Sequence, residues 1–600
     1  MTSTRRKAES SPMRMRFILA AVLVLFIAVA ARLIWVQGID PQDAKADALK
    51  GRTTAGVPVP ATRGDIVDTD GKVLATSIVR YDLVVDQTQV QDSFPRKEGD
   101  QRVEVPTDQG IAEVAEVLGL DKESVSAALL GRDGEEKRKY SVITRNITPK
   151  VNQQVEEVGV PWIKSVQTQQ RSYPNGQLAG PVLGFLNREG EGAEGLELSQ
   201  DKALTGTDGS KTYERGADGV RIPNAPVEET PAVNGKTVRL TTDSDIQWVA
   251  QNAVMAKKKE FKADWVNAVV MDVKTGKILA LADSDSMDPN DPGAADAAAR
   301  TSSTVTQSYE PGSTGKAPTF ALALDKGVIS PTSEFEVPNH FTLDNETIND
   351  SLKHQTFEMT AAGIFARSYN TGTIQIGDKL KDQDRYDFMS ELGIGKKIDI
   401  GLPGQSSGIL AQPDDWERRQ RLTTMFGQGY TQTTLHLASI YQALGNNGVQ
   451  ISPTLIDAYI DADGTEHEVE PAKTQRVVSK QTSKEMRRLM EGVVDYGTST
   501  PMKIDGYRVG GKSGTAQAQG KDGKFDQHTS SFVGMAPIDN PRYLVAVTMQ
   551  HPQGYWRDWT VGNTFKKIMS ATLSKNSVPP EKSKSESYDG FVGENQEYGW

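Results

Sequence analysis

One short segment of the sequence combines a nucleophile and a base at a spacing that suits covalent catalysis. Ser313 and Lys316 lie three residues apart in the segment 309–316, Tyr-Glu-Pro-Gly-Ser-Thr-Gly-Lys, and the apolar residues 320–324 after it predict a buried helix. Residues three apart on a helix share a face, so the Lys316 amine can reach the Ser313 hydroxyl, and the positive helix end favours negative charge on oxygen. The pair therefore predicts acyl transfer through an ester on Ser313.

A lysine accepts a proton only when it is neutral, so this chemistry requires a reason for Lys316 to lose its charge. Burial and a second nearby cation both lower the pKa of a lysine. Lys512 is a second lysine that could supply this effect, and it lies in a glycine-rich segment late in the chain.

Each short motif around these residues has a second copy, so no motif identifies the site by itself. Ser199 and Lys202 repeat the Ser-x-x-Lys pattern, and we interpret that copy as a helix surface. What discriminates is order, because a single series falls within one predicted domain. The series runs from Ser313-x-x-Lys316 through Ser368-x-Asn370 to Lys512-Ser513-Gly514, and the remaining copies are Ser574-x-Asn576 and Lys274-Thr275-Gly276.

The elements that must position this series form an α/β pattern. From Asn267 the sequence predicts strand, turn and strand, then helical stretches to about residue 500. The last strands are predicted near residues 508–517, 531–536 and 543–550. The domain therefore draws strands from both of its ends, and the series of motifs lies between and on them.

The rest of the chain divides at changes of composition. A Pro- and Glu-rich stretch near residues 223–231 predicts a domain boundary close to residue 235. Before it, residues 50–235 mix helical patterns with strands, such as two strands around an Asp-Gly turn in 63–75, and indicate an accessory domain. Residues 574–600 are polar and predict a disordered tail.

The composition excludes several classes of function. The 68 Lys and Arg residues against 79 Asp and Glu give a net charge of −11, which argues against a nucleic-acid partner. The chain has no cysteine, so disulfides, thiolate catalysis and Cys-ligated zinc are excluded. Its six histidines lack metal-ligand spacing, and we predict neither a metal nor a cofactor.

The N-terminal sequence indicates export across a membrane. The apolar run from Phe17 to Val36 spans about 30 Å as a helix, which matches a bilayer core. A cleaved signal peptide is the alternative, because Ala28-Val29-Ala30 fits a cleavage site. We favour an uncleaved transmembrane helix at 17–36, with residues 1–16 in the cytoplasm and the bulk of the chain outside. The charges that favour this orientation are Arg5, Arg6, Lys7, Arg14 and Arg16 before the run and Asp40, Asp43 and Asp47 after it.

Two other patterns suggest different chemistry but lack the required context. Residues 506–513 match the phosphate-binding pattern GxxxxGK[ST], yet a strand and a turn are predicted after them where that motif requires a helix. Residues 404–408 match the hydrolase pattern GxSxG, yet Pro403 precedes them instead of a buried strand, and we interpret them as a surface loop.

The ordered series resembles the active site of penicillin-binding proteins and serine β-lactamases, which carry SxxK, SxN and KSG motifs in this order. The segments 63–68, 184–204, 426–429 and 532–537 also resemble class B penicillin-binding proteins, and FtsI-like division enzymes within that class. The resemblance implies an α/β (α+β) penicillin-binding transpeptidase or serine β-lactamase-like fold at 236–573. It also implies an N-terminal β-rich pedestal of the dimerisation type at 50–235.

The resemblance assigns a role to each residue of the three motifs. It implies that Ser313 attacks the D-Ala-D-Ala carbonyl of a peptidoglycan stem peptide while Lys316 accepts the proton. Ser368 is expected to relay a proton to the leaving nitrogen, and Asn370 to hold the substrate amide and Lys316. Lys512 is expected to add positive charge.

The resemblance also implies a substrate-binding strand. The Ser513 and Thr515 hydroxyls are expected to bind the terminal carboxylate, while the N–H groups of Ser313 and Thr515 form an oxyanion hole. Gly514 lets the backbone of an extended peptide approach this edge strand. The implied partners are a D-Ala-D-Ala donor and an amine acceptor on stem peptides, β-lactam antibiotics, and FtsW-type glycosyltransferases or other membrane proteins of cell division.

Two positions depart from the usual pattern, and two alternatives share the same fold. Gly315 stands where the family carries a larger residue, and because glycine costs about 1 kcal/mol relative to alanine inside a helix, a more mobile loop is expected. Tyr369 stands where the family often has serine in the middle of SxN. The alternatives to a division enzyme are an elongation enzyme of class B and a penicillin sensor or hydrolase.

Overall fold

The structure is a computed structural model that describes residues 12–35, 57–99, 101–132, 134–212, 228–520, 523–554, 560–580 and 583–593. The chain divides into two compact units: one contains residues up to 61 together with 207–233, and the other contains 62–206 and 234–600. Arg5, Arg6, Lys7, the acidic residues at 40–47 and most of the Pro- and Glu-rich stretch lie outside the described residues.

The first unit contains one long apolar helix and a small sheet. Helix α1 covers Pro12–Ile34, about 34 Å at 1.5 Å per residue, and it carries no charged residue between Arg16 and Arg32. This helix is long and apolar enough to cross a membrane. The antiparallel sheet contains Val57–Val59, Gly209–Thr212 and Glu228–Thr230.

The second unit contains a five-stranded antiparallel sheet with strands from both ends of the predicted domain. Its strands are β1 (Trp265–Asp272), β2 (Ile278–Asp283), β3 (Gly510–Ala518), β4 (Gln527–Ala536) and β5 (Tyr543–Gln550), in the order β2-β1-β5-β4-β3. Alternate residues of β1 face opposite cores: Ala268 and Val270 pack in one, and Val269 and Met271 in the other. Because both faces are buried, residues 268–271 in the middle of the strand are all apolar rather than alternating.

Helices cover both faces of this sheet. Ser244–Phe261 and Gly562–Lys575 contribute to the core on one face, and Thr434–Gly445 to the core on the other. Strand β3 is an edge strand, since its only partner among the described strands is β4. The four helices used below are α2 (Lys316–Asp325), α3 (Ala361–Arg367), α4 (Asn370–Gly377) and α5 (Lys480–Asp495).

A second sheet joins segments that the sequence assigns to different domains. Strands Ile66–Val67 and Val73–Val85 form the predicted hairpin, with Gly71 at φ +80° in the turn. This hairpin pairs with Thr237–Leu240, which in turn pairs with Ile456–Ile460. The other strands of this sheet are Ser141–Ile147, Ile163–Ser172 and Glu466–Glu468.

A buried ion network ties the accessory segment together. The fully buried Glu197 carboxylate accepts hydrogen bonds from Nε of Arg63 and Nε of Arg171, each at 2.7 Å. It also accepts one from the Tyr173 hydroxyl at 3.2 Å. Asp201 accepts Nη1 of Arg63 at 2.7 Å. A buried carboxylate needs such partners, because an unpaired buried charge is strongly destabilising.

The remaining elements are short. The α-helices are Thr107–Leu118, Lys122–Leu130, Pro149–Val158, Gly180–Leu183, Gly195–Ser199, Asp201–Thr205, Ser303–Thr306, Asp382–Glu391 and Arg418–Thr423. The small hairpins pair Ser93–Glu98 with Gln101–Pro106, Glu334–Val337 with Phe357–Thr360, His340–Leu343 with Glu346–Asn349, and Val449–Ile451 with Thr474–Arg476.

The tail departs from the predicted disorder at 574–600. The helix Gly562–Lys575 continues past residue 573, and residues 583–593 lie against the fold, where Met359 and Phe591 form an antiparallel bridge. The prediction was wrong for this segment because it relied on the mostly polar composition. Two aromatic side chains in the segment, Tyr588 and Phe591, both pack against the core. Residues 594–600 lie outside the described chain.

The competing patterns lie where the sequence analysis expected. Ser199 and Lys202 are exposed, and Gln200 interrupts the helix between them. Residues 506–513 run into the strand β3 rather than a helix, and residues 404–408 form a loop. None of these segments has the local structure that its alternative chemistry requires.

Candidate active site

Ser313 lies in a tight turn that leads directly into a buried helix. Residues Gly312–Gly315 form one turn of 3-10 helix, and α2 begins at Lys316. Side chains three residues apart eclipse each other in a 3-10 helix, so Ser313 and Lys316 align on one side. Ser313 is half-buried at the cleft, whereas Lys316 is fully buried.

Two glycines bring this turn close to its neighbours. Gly312 has φ +56°, and its N–H donates to the carbonyl of Gly427 at 2.8 Å. A Cβ on Gly312 would lie 2.5 Å from the carbonyl oxygen of Thr515, and one on Gly514 would lie 2.6 Å from that of Pro311. The turn before Ser313 is therefore packed directly on the backbone of β3.

Two buried lysines meet at the hydroxyl of Ser368. Lys512 Nζ donates to Ser368 Oγ at 2.9 Å, and Lys316 Nζ donates to the same oxygen at 3.3 Å. Lys316 Nζ also donates to the carbonyl of Ser368, and Lys512 Nζ donates to that of Ser513 at 3.0 Å. Both lysines are fully buried. The structure thus brings one residue of each of the three motifs together.

Ser368 has a backbone conformation that is uncommon for a residue with a side chain. It follows the last residue of α3 in the left-handed region, at φ +65°. Such a conformation costs on the order of 1–3 kcal/mol and is found mainly at functional sites. It turns the chain between α3 and α4, so that Ser368 and Asn370 lie on either side of one tight turn.

Asp350 fixes the start of α4, and the sequence analysis did not identify it. Its carboxylate accepts the N–H groups of Asn370 and Thr371 and the hydroxyl of Thr371 at 2.7 Å. It also lies 3.0 Å from Nε2 of the buried His354. A carboxylate that accepts free N–H groups at a helix start is a strong cap. Backbone N–H groups donate to any suitably placed acceptor, so no sequence motif indicated this residue.

The side chain of Tyr369 packs on the aromatic neighbours of this cap. Its ring lies 4.4 Å from the His354 ring and 6.2 Å from the Phe357 ring, measured between centroids. Burial raises the pKa of the Tyr369 phenol. The large residue in the middle of the Ser-Tyr-Asn turn is therefore part of a stacked cluster.

Thr498 extends the polar site along β3. Its hydroxyl oxygen lies 3.0 Å from the hydroxyl oxygen of Ser513. Thr498 belongs to none of the three motifs, so the motifs did not predict this contact. Ser513 is buried, while Thr515 is half-buried and faces the same cleft as Ser313. Two hydroxyls and the edge of a strand are thus available beside the serine.

These groups open into a cleft of about 1270 Å³. Ser313, Asn370 and Thr515 all line it, so one ligand can contact the turn at 312–315, α4 and β3. A cleft of this size is large enough for a peptide segment. Its other lining residues include Glu310, Leu352, Glu417, Arg419, Gln428, Thr498, Pro501, Phe525 and His528.

Glu310 is a carboxylate that lines the same cleft as Ser313. Burial raises the pKa of Glu310, while the N–H of Gly429, which donates to its carboxylate at 2.9 Å, opposes this shift. The hydrogen bond links the segment before Ser313 to the Phe-Gly-Gln-Gly segment at 426–429.

Gly315 is packed tightly, which contradicts the expected mobile loop. It is buried, and a Cβ there would lie 2.6 Å from the Cα of Gly427 and would overlap the hydroxyl of Tyr430. That hydroxyl is buried without a hydrogen-bond partner in the described structure. Close approach of the segment that carries Gly427 and Tyr430, rather than flexibility, therefore accounts for the glycine.

We expect Gly315→Ala to destabilise the protein by about 1–3 kcal/mol, the usual cost of overpacking a core. The change should also slow any reaction of Ser313, because the displaced turn carries that residue. Adding Tyr430→Phe removes one of the two overlaps and should restore part of the loss, since the overlap with Gly427 remains. Urea unfolding of the single and double variants measures this, and additive losses would contradict the packing explanation.

Family comparisons agree with this architecture. The model of the penicillin-binding protein transpeptidase domain matches residues 266–570, which contain Ser313, Ser368 and Lys512. The model of the penicillin-binding protein dimerisation domain matches residues 58–240.

Individual relatives and solved structures agree with the family models. The chain is 32% identical to penicillin-binding protein PbpB of Mycolicibacterium smegmatis, over 93% of this chain and 90% of that one. It is 31% identical to the probable peptidoglycan D,D-transpeptidase PenA of Neisseria meningitidis, over 96% of this chain and 95% of that one. A peptidoglycan synthetase structure from Bifidobacterium adolescentis superposes with a TM-score of 0.73 at 32% identity, covering 90% of this chain and all of that one.

A structure of penicillin-binding protein 3 from Mycobacterium tuberculosis with ampicillin has a TM-score of 0.66 at 26% identity, over 88% of this chain and 98% of that one. These matches confirm the predicted fold class. They extend over both the accessory and the motif-bearing segments. This chain therefore belongs to the class B penicillin-binding proteins, in which a dimerisation domain precedes a transpeptidase domain.

Proposed function

We propose that this chain is a peptidoglycan D,D-transpeptidase that cross-links stem peptides through an acyl-enzyme on Ser313. The observation that carries the proposal is the convergence of Lys316 and Lys512 on the Ser368 hydroxyl, next to the turn that holds Ser313. Two ammonium groups that share one hydroxyl in a buried site repel each other, which favours a neutral amine at one of the two. Such a neutral amine can act as the base.

The reaction follows from these positions in two steps. The Ser313 oxygen attacks the carbonyl of the D-Ala-D-Ala bond while Lys316 takes its proton, and Ser368 passes a proton to the leaving nitrogen. The released product is D-Ala. The amine of a neighbouring stem peptide then attacks the ester and restores the serine. Asn370 holds the donor amide, and Lys512 stabilises negative charge in the site.

Strand β3 suits the donor peptide. Its edge on the side away from β4 can pair with an extended peptide, and the Ser513 and Thr515 hydroxyls can bind the terminal carboxylate. The N–H groups of Ser313 and Thr515 form the oxyanion hole, because the close contacts of Gly312 and Gly514 bring these two backbone segments together.

Incubating the purified full-length protein with ampicillin should add the mass of one antibiotic, and peptide mapping should locate it on Ser313. For Ser313→Ala we expect a normally folded protein without any adduct, since the hydroxyl that forms the ester is gone. Ser199→Ala is the matched control, because it removes the serine of the exposed second Ser-x-x-Lys copy, and it should be acylated like the unmodified chain. An adduct on Ser199 or Ser406, or none on folded protein, would refute the proposal.

We place this activity in septal wall synthesis during cell division, in line with the resemblance to FtsI-like enzymes. Elongation is the competing role on the same fold. Depletion of the protein in its host should then give filaments, because cells that cannot cross-link a septum continue to grow without dividing. Cell length and shape measured by microscopy distinguish the roles, and rounded cells or lost polar growth would indicate elongation instead.

The proposed location is the membrane, with α1 as a single anchor, the N-terminus in the cytoplasm and the catalytic region outside. Partners of the FtsW type or other membrane proteins of division would then contact α1 within the bilayer. Replacing residues 17–36 by an unrelated membrane span should therefore impair division while penicillin still acylates Ser313. Normal division with the foreign span would disprove a partner at this helix.

A further inference from the structure

The end of the chain forms an ordered strap over the transpeptidase region. We call residues 583–593 the C-terminal strap. Its main chain lies antiparallel to the strand Phe357–Thr360 at the bridge between Met359 and Phe591. The accompanying hydrogen bonds run from Val592 N to Glu358 O at 3.1 Å, from Thr360 N to Gly590 O at 3.2 Å, and from Thr360 Oγ1 to Asp589 O at 2.7 Å.

The other half of the strap is fastened to α5 and the residue that follows it. This half combines ion pairs, hydrogen bonds and an aromatic ring, so the strap is held along its whole described length. The contacts are Arg488 Nε to Glu586 Oε2 at 3.0 Å, Glu586 N to Glu491 Oε2 at 3.1 Å, Ser587 Oγ to Asp495 Oδ2 at 3.0 Å, and Tyr496 Oη to Tyr588 O at 2.6 Å.

The strap touches both ends of α3. At the start, Thr360 caps the helix by accepting the N–H of Gly363 at 3.0 Å, and the same threonine bonds to the strap. A Cβ on Gly363 would overlap the carbonyl of Gly590, so strap and helix are in direct contact. At the end, the Arg367 guanidinium lies 5.9 Å from the centre of the Phe591 ring.

A helix of seven residues is too short to fix its own position, so its neighbours must do so. The residue after α3 is Ser368, whose hydroxyl lies between the two lysines. Any shift of α3 along its axis therefore moves Ser368 relative to Lys316 and Lys512. The strap is one of the elements in contact with both ends of α3.

A second contact path leads from the strap to the same turn. The Phe591 ring packs edge-on against Phe357 at 5.6 Å between centroids. Phe357 in turn stacks on His354 at 5.3 Å and on Tyr369 at 6.2 Å. Tyr369 is the middle residue of the Ser-Tyr-Asn turn, so Phe591 supports this turn from the side of its aromatic cluster as well as from α3.

We propose that the C-terminal strap is a positioning element of the acylation site, with Phe591 as its key residue. Phe591 contacts neither Ser313 nor the lysines in the described contacts, and it acts through Arg367, Phe357 and Tyr369 on the placement of Ser368. The inference rests on the proposed function, because it takes Ser368 to be part of the reaction. Its specific consequence is a loss of acylation rate rather than of binding.

The test is the kinetics of ampicillin acylation in the full-length Phe591→Ala variant. We expect the first-order acylation rate constant to fall on the order of tenfold, since small misplacements of a catalytic group have effects of this size or larger. The dissociation constant of the non-covalent antibiotic complex should stay within about twofold, because the cleft lining is unchanged. Phe591→Tyr keeps the ring and should restore the rate.

Tyr588→Ala is the matched control for a purely structural role. Tyr588 is also a half-buried aromatic residue of the strap, but its ring lies 5.7 Å from the Arg488 guanidinium on α5 rather than beside Phe357. Its loss should lower the melting temperature about as much as that of Phe591 and leave the acylation rate constant unchanged.

Two results would overturn the inference. Equal loss of rate in both variants, in proportion to their loss of melting temperature, would mean that the strap only stabilises the fold. An unchanged rate in Phe591→Ala would mean that Ser368 is positioned without it. The proposed function is judged separately on the unmodified chain: if ampicillin does not acylate its Ser313, that proposal fails, whatever the variants do.

Discussion

The hydroxyl of Ser368, placed between two buried lysines, is the interaction on which the rest of the site depends. Lys316 comes from the start of α2 and Lys512 from the edge strand, and each donates to this one oxygen. Both amines are fully buried, so each needs hydrogen-bond acceptors within the protein, and the turn supplies the one oxygen that they share. The position of that turn therefore determines whether the two amines can share a site at all, and much of the surrounding packing holds it in place.

Close backbone contact supplies the other constraint. The turn that carries Ser313 lies against β3 on one side and against Gly427 on another, and both contacts exist because glycines leave room for them. The five-stranded sheet joins strands from the two ends of the domain, so residues far apart in sequence meet at its edge. This arrangement explains why the three motifs are short and separated: each belongs to a different element, and only the packing of those elements makes them one site.

The sequence predicted those parts of the structure that are encoded locally. The order of the motifs predicted that Ser313, Lys316 and Lys512 belong to one site, and apolar patterns located the strands of the sheet. Asp350 was missed because it accepts hydrogen bonds from backbone N–H groups. Nearly every residue carries such a group, so no residue pattern predicts the contact. Gly315 was misinterpreted because helix propensity is a local quantity, whereas its packing against Gly427 and Tyr430 comes from a segment far along the chain.

The C-terminal segment shows why composition is a weak guide to order at the end of a chain. Disorder follows when a segment cannot bury enough apolar surface to offset the entropy of ordering it. Residues 583–593 bury little, yet Tyr588 and Phe591 pack on a core that already exists, and the main chain gains hydrogen bonds from the preformed strand Phe357–Thr360. A segment that docks on a finished surface needs fewer apolar residues than one that must build its own core. Its order therefore depends on the partner surface, which local composition does not describe.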